Sequence, residues 1–202
     1  MKKTLSIITL ITFLIGTKTI SSCSSGSSAG GQVNPTAISY SLDQNVYFRI
    51  TFNGQTKTTY GLSSNGITST TLKTYCGAYL YSVGSTYSNI LFSVSGNAVN
   101  NLLGQAGITQ NLSQIRVFNI QFSRDGTPVG AYNNLSGGQF FNDISGAVET
   151  SYYLAYSLNN TYGNSITVTG IDQNYVTGTV SFQLQDGNNL IPATGSFRLY
   201  KL

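Results

Sequence analysis

The strongest constraint on this chain is an alternation of apolar residues with other residues, repeated in run after run. Val46, Phe48, Ile50 and Phe52 alternate with Tyr47, Arg49 and Thr51, and Ile90, Phe92 and Val94 alternate with Leu91, Ser93 and Ser95. Phe118, Ile120 and Phe122 alternate with Val117, Asn119 and Gln121, and Val180, Phe182 and Leu184 alternate with Thr179, Ser181, Gln183 and Gln185. Tyr152, Leu154, Tyr156 and Leu158 share one face, Ile166 and Val168 form a shorter run, and Phe197 and Leu199 close the chain opposite Arg198 and Tyr200. A period of two puts every second side chain on one face of an extended strand, a pattern that a helix cannot bury.

Turn residues punctuate the runs. Asn53-Gly54, Asp125-Gly126 and Asp186-Gly187 are hairpin dipeptides, and Asp172-Gln173-Asn174 marks a further turn. Thr, Tyr, Val, Ile and Phe fill the intervening segments, residue types that suit a pleated, half-buried surface. One stretch departs from the pattern: in Ala98 to Ala106, Val99, Leu102 and Leu103 fit a short helix limited by Gly104 and Gly107. The expectation is an antiparallel all-β domain of about eight to ten strands, a β-sandwich or small β-barrel, with one short helix.

The first residues read differently. Lys2 and Lys3 precede an uncharged, mostly apolar stretch over residues 4–16, followed by Ile20-Ser21-Ser22-Cys23. The apolar stretch is shorter than the roughly 20 residues that span a bilayer and suits the h-region of a signal peptide. The four-residue motif resembles the lipobox of bacterial lipoproteins, from which Lys18 is a small departure. That resemblance implies diacylglycerol on the Cys23 thiol, cleavage before it, and acylation of the new amino group. Ser24 stands where lipoproteins kept in the inner membrane typically carry Asp, so the resemblance implies the outer membrane, with the leaflet left open. The expected organisation is a signal peptide over 1–22, lipidated Cys23 with a Ser/Gly-rich tether over 23–37, and one β-rich domain over 38–202.

A second resemblance lies in the C-terminal half. Residues 163–184, followed by Gly195-Ser196-Phe197, carry an I-x-V strand, an Ile-Asp turn, G-T-x-S-F and then G-x-F, with Gly-Ala-Tyr upstream at 130–132. This resembles the closing hairpins of small β-rich lipoprotein domains from Gram-negative bacteria. It implies the fold and no activity, because those domains have no established chemistry.

Composition narrows the function. The chain has no His and only six Asp and Glu residues, which excludes Ser-His-Asp and Cys-His catalysis and a His-ligated zinc. Loss of Lys2, Lys3 and Lys18 with the leader leaves seven basic side chains against the six acidic ones, scattered singly, so no nucleic-acid partner is expected. Cys76 is the one thiol outside the lipobox and reads as a buried, inert residue. Asp125, Asp172 and Asp186 read as turn residues. Asp143 and Glu149 flank a Gly- and Phe-containing loop and, with Tyr152 and Tyr156, form the candidate ligand-binding set. The Tyr75-Tyr79-Tyr81-Tyr87 and Tyr152-Tyr153-Tyr156-Tyr162 clusters, amid abundant Asn, Gln, Ser and Thr, suit protein or glycan contact. No catalytic residue, metal or cofactor is expected. The reading is a lipid-anchored envelope protein that acts as a non-enzymatic binding or structural interaction module, with an envelope protein or glycan as its partner. Its alternative is a carrier of a small apolar or glycan ligand in a barrel mouth or concave sheet face.

Overall fold

The computed structural model of the chain describes residues 39–65, 68–83, 87–105, 114–137, 140–145, 148–155 and 160–202. Cys23, the tether and Tyr156 lie outside the described residues. Twelve strands and two helices follow in order: β1 (Tyr40–Phe52), β2 (Gln55–Ser64), α1 (Thr70–Lys73), β3 (Cys76–Val83), β4 (Tyr87–Ser95), α2 (Gly96–Gln105), β5 (Gln114–Asp125), β6 (Gly130–Tyr132), β7 (Asn134–Gly137), β8 (Phe140–Ser145), β9 (Val148–Leu154), β10 (Ser165–Ile171), β11 (Tyr175–Asp186) and β12 (Asn189–Lys201). The all-β expectation holds. The expected helix is α2, and α1 is an addition: Ser69 caps its first turn, its hydroxyl accepting from the Leu72 N–H at 3.3 Å.

Three long strands organise the sheet by sharing one edge between two partners. The second edge of β12 pairs with β1 as far as Arg198 and then, at Tyr200 and Lys201, runs parallel to Gly77 and Ala78 of β3. The edge of β11 pairs with β10 over Val176–Ser181 and with Tyr153 and Leu154 of β9 at Gln185 and Leu184. The edge of β5 divides between β8 and β7. Pairings therefore run from β12 through β3, β4, β5, β8, β9 and β11 back to β12, a barrel-like sheet. The β1–β2 hairpin and the β10–β6 pair extend from it.

Bulges let the strands switch partners. One lies between Asp43 and Tyr47, where β1 leaves its regular register with β2. Another, between the Phe92–Ile120 and Ser93–Phe118 pairs, breaks the simple alternation of β5: Val117, Ile120 and Phe122 are all buried. The Asn53-Gly54 hairpin forms as expected, with φ of 48° and 69°, the pair of positive values that a tight two-residue loop requires.

The core is a run of rings from opposing strands. Phe92 of β4 meets Phe48 of β1 edge-on at 5.7 Å and Phe197 of β12 at 4.9 Å between ring centroids. Phe122 of β5 stacks on Phe182 of β11 at 6.0 Å. The Phe197 ring lies over Gly178 of the neighbouring strand, where a Cβ would stand 2.6 Å from the ring carbon Cζ. A second cluster of Leu62, Leu72, Val99 and Leu103 joins β2, α1 and α2.

Candidate functional site

The expected set divides on inspection. Tyr152 of β9 is 8% exposed and packs edge-on against Phe52, ring centroids 5.4 Å apart. Its ring belongs to the core. Asp143 of β8 pairs with Thr150, whereas Glu149 of β9 pairs with Ile144, so the register sets the two residues one position apart rather than opposite each other. Of the other tyrosines, Tyr79, Tyr81, Tyr153 and Tyr162 are exposed.

Tyr75 leads elsewhere. It lines a groove of about 420 Å³ together with Tyr40, Ser64, Ser69, Thr71, Leu72 and Leu102. These residues come from the start of β1, the end of β2, α1 with its flanks, and α2. Each wall has a local cause. Ser39 and Asn65 close the open end of the β1–β2 hairpin: the Asn65 N–H donates to the Ser39 carbonyl at 2.8 Å, and the Ser39 N–H donates to Asn65 Oδ1 at 3.0 Å. The Thr74 hydroxyl donates to the Thr71 carbonyl, and the Ser93 hydroxyl to the Thr74 carbonyl, both at 2.6 Å, which ties α1 to β4. The Tyr75 N–H donates to the Leu72 carbonyl at 3.2 Å. Leu72 is buried beneath the groove, and half-buried Leu102 packs beside it.

Among the described residues the lining carries five hydroxyl side chains and two leucines, with no charged group. Such a surface binds an uncharged amphipathic group: leucine and tyrosine faces take its apolar part, hydroxyls its polar edge. It offers no nucleophile–base pair among the described residues. Among the described residues no group of three His, Cys, Asp or Glu side chains converges. Sequence reasoning did not assemble this site, because its residues come from separate segments and only Tyr75 stood in a marked cluster.

A partly buried polar node joins β12 to β1. The Tyr200 hydroxyl donates to Asp43 Oδ2 at 2.7 Å and lies 3.4 Å from Thr68 Oγ1. Burial lifts the Tyr200 phenol well above its ordinary range, and the Asp43 carboxylate adds to the shift. Cys76 is fully buried with Sγ 3.9 Å from the Thr59 carbonyl; burial first, and Asp43 second, raise its thiol far above the ordinary value of 9.0. A thiol held neutral in this way is a poor nucleophile. Asp172 is a turn residue as expected: its Oδ1 accepts the N–H groups of Asn174 and Tyr175, both at 2.8 Å, which lowers its pKa.

The expected result is that Cys76 resists a thiol reagent in the folded protein and reacts fully in denaturant. The sign of the pH effect follows from the raised pKa. The neutral thiol is favoured by folding, so the contribution is complete below pH 9.0 and is lost as pH rises and the unfolded chain ionises. Urea titrations at pH 8 and pH 10 check this. Equal or greater stability at the higher pH, or rapid labelling of the native state, would contradict the assignment.

The fold and groove define a class: a barrel-like β domain with an uncharged amphipathic groove at one end. Compared with known family models, curated proteins and solved structures, the chain matches none.

Proposed function

We propose that this protein is a lipid-anchored module of the bacterial envelope that binds an uncharged amphipathic ligand in the end groove and performs no catalysis. The observation that carries the reading is where concave surface is found. Rings fill the space between β1, β4 and β12, while the groove combines hydroxyls with leucine and tyrosine faces. The groove also includes Tyr40, the first residue of β1, so the expected tether from Cys23 joins the domain beside it. The alternative carrier role falls on the same groove, since Tyr152 is part of the packed core.

The test uses neutral N-acetylglucosamine oligomers as probe and Leu102→Arg as variant, which puts a charge into the uncharged lining. The expected outcome is measurable binding by calorimetry for the wild-type protein and at least a tenfold loss for the variant, about 1.4 kcal/mol, at unchanged circular dichroism. Equal binding by both proteins removes the groove from the reading. Native mass spectrometry separates the alternative: a carrier leaves the membrane fraction with its ligand bound, whereas a docking module is purified empty.

A further inference from the structure

A second surface shares no residue with the groove and does not depend on the tether. On the outward face of β1, β12 and β11, Arg49, Tyr47, Arg198 and Tyr175 lie together. The register sets Tyr47 opposite Arg198 and Arg49 opposite Ser196, so the two arginines are diagonal neighbours, about 7–8 Å apart at the backbone. The Arg198 guanidinium stacks on Tyr175, its Cζ 4.3 Å from the ring centroid, and that of Arg49 lies 5.3 Å from the centroid of Tyr47.

These guanidiniums hold their planes with few acceptors among the described residues. Arg49 donates a single long bond from Nε to Thr58 Oγ1 at 3.4 Å. Among the described residues, buried Arg198 Nε finds no acceptor, a costly state for a charged donor. The nearby acid, Asp172, has Oδ1 committed to two backbone N–H groups; Arg198 and Lys201 act on it only through the field. Two preorganised forks with no carboxylate hydrogen-bonded to them among the described residues match a planar or tetrahedral oxyanion.

The surroundings select the class of ligand. Along the rows, Thr58, Ser196, Thr177, Thr179 and Thr167 continue the face as an array of hydroxyls across neighbouring strands. Two arginines are too few for an anionic bilayer, which takes clusters of about 4–8 basic residues, and they form no stripe that would track a nucleic-acid backbone. Hydroxyl rows around a pair of forks suit a polyhydroxylated chain that carries an occasional acid group.

We propose that Arg49 and Arg198 form an oxyanion site for an acidic polysaccharide. Its carboxylate or phosphate takes the exposed edges of the two guanidiniums, while sugar hydroxyls meet Thr58, Ser196, Thr177 and Thr179.

The test uses the full lipidated protein in detergent micelles with polygalacturonate, a phosphorylated mannan and neutral dextran as probes. The expected result is at least tenfold tighter binding of one acidic polysaccharide than of dextran; which one is preferred tells carboxylate from phosphate. Arg198→Ala and Arg49→Ala each lower that affinity at least tenfold with an unchanged unfolding midpoint, and Arg198→Lys restores only part of it. Lys201→Ala, which removes an exposed charge nearby, stays within twofold of wild type. Binding of neither acidic polysaccharide, equal binding of dextran, or unaltered binding by both arginine variants overturns the proposal. So does tighter binding of poly-glutamate or of phosphatidylglycerol vesicles, which would assign the face to an acidic protein or to a bilayer.

Discussion

Replacing Cys23 by Ala, in a chain whose leader is exchanged for an ordinary secretory one, is expected to move the protein from the membrane pellet to the soluble fraction. The magnitude follows from the proposed anchor. Each buried methylene contributes about 0.8 kcal/mol; one chain binds marginally, and two or three together bind firmly. No described helix is long and apolar enough to cross a membrane. Loss of two or three chains is expected to make the effect on distribution nearly complete, while circular dichroism keeps its strand signature, since the strands lie within residues 40–201. A variant that stays in the pellet at wild-type level would refute lipid anchoring at this sulfur.

The second large effect is on stability. Phe92→Ala is expected to cost about 3–5 kcal/mol, the range for large-to-small replacements in a packed core. Phe92 is 1% exposed and contacts rings from both β1 and β12, so its removal leaves a void between strands that hydrogen bonds already hold in register. Domains of this kind are stable by about 5–15 kcal/mol in total, so the urea midpoint falls by a large fraction. A loss below about 1 kcal/mol would mean that the ring is not the centre of the core, because even a partly collapsed cavity costs more than that.

What the chain displays in one dimension varies from element to element. Strands β1 and β11 were legible because each alternates and is followed by an Asn-Gly or Asp-Gly pair, whereas β2, with Lys57 and Thr59 at inward positions, shows no apolar alternation. Strand β3 was not, although Cys76 and Ala78 point inward, because Tyr79 and Tyr81 on its outer face are themselves large and aromatic. The β5 bulge was invisible for another reason. An inserted residue changes the face without changing composition, so Val117 is buried where simple alternation sets it opposite Ile120. Tyr152 was read correctly as a strand residue, but whether its ring meets solvent or Phe52 depends on a partner 100 positions away.

The amino-acid order alone determined an antiparallel all-β body with tight turns and a short helix, because period-two burial and positive-φ turns involve only neighbouring residues. Tertiary structure decided how β5, β11 and β12 each divide an edge between two partners, how the sheet returns on itself, and which hydroxyls and leucines meet at the groove. Those outcomes depend on pairing between strands as distant as β3 and β12, where backbone hydrogen bonding is equally available to any exposed edge and only the packing of Phe48, Phe92 and Phe197 selects one arrangement.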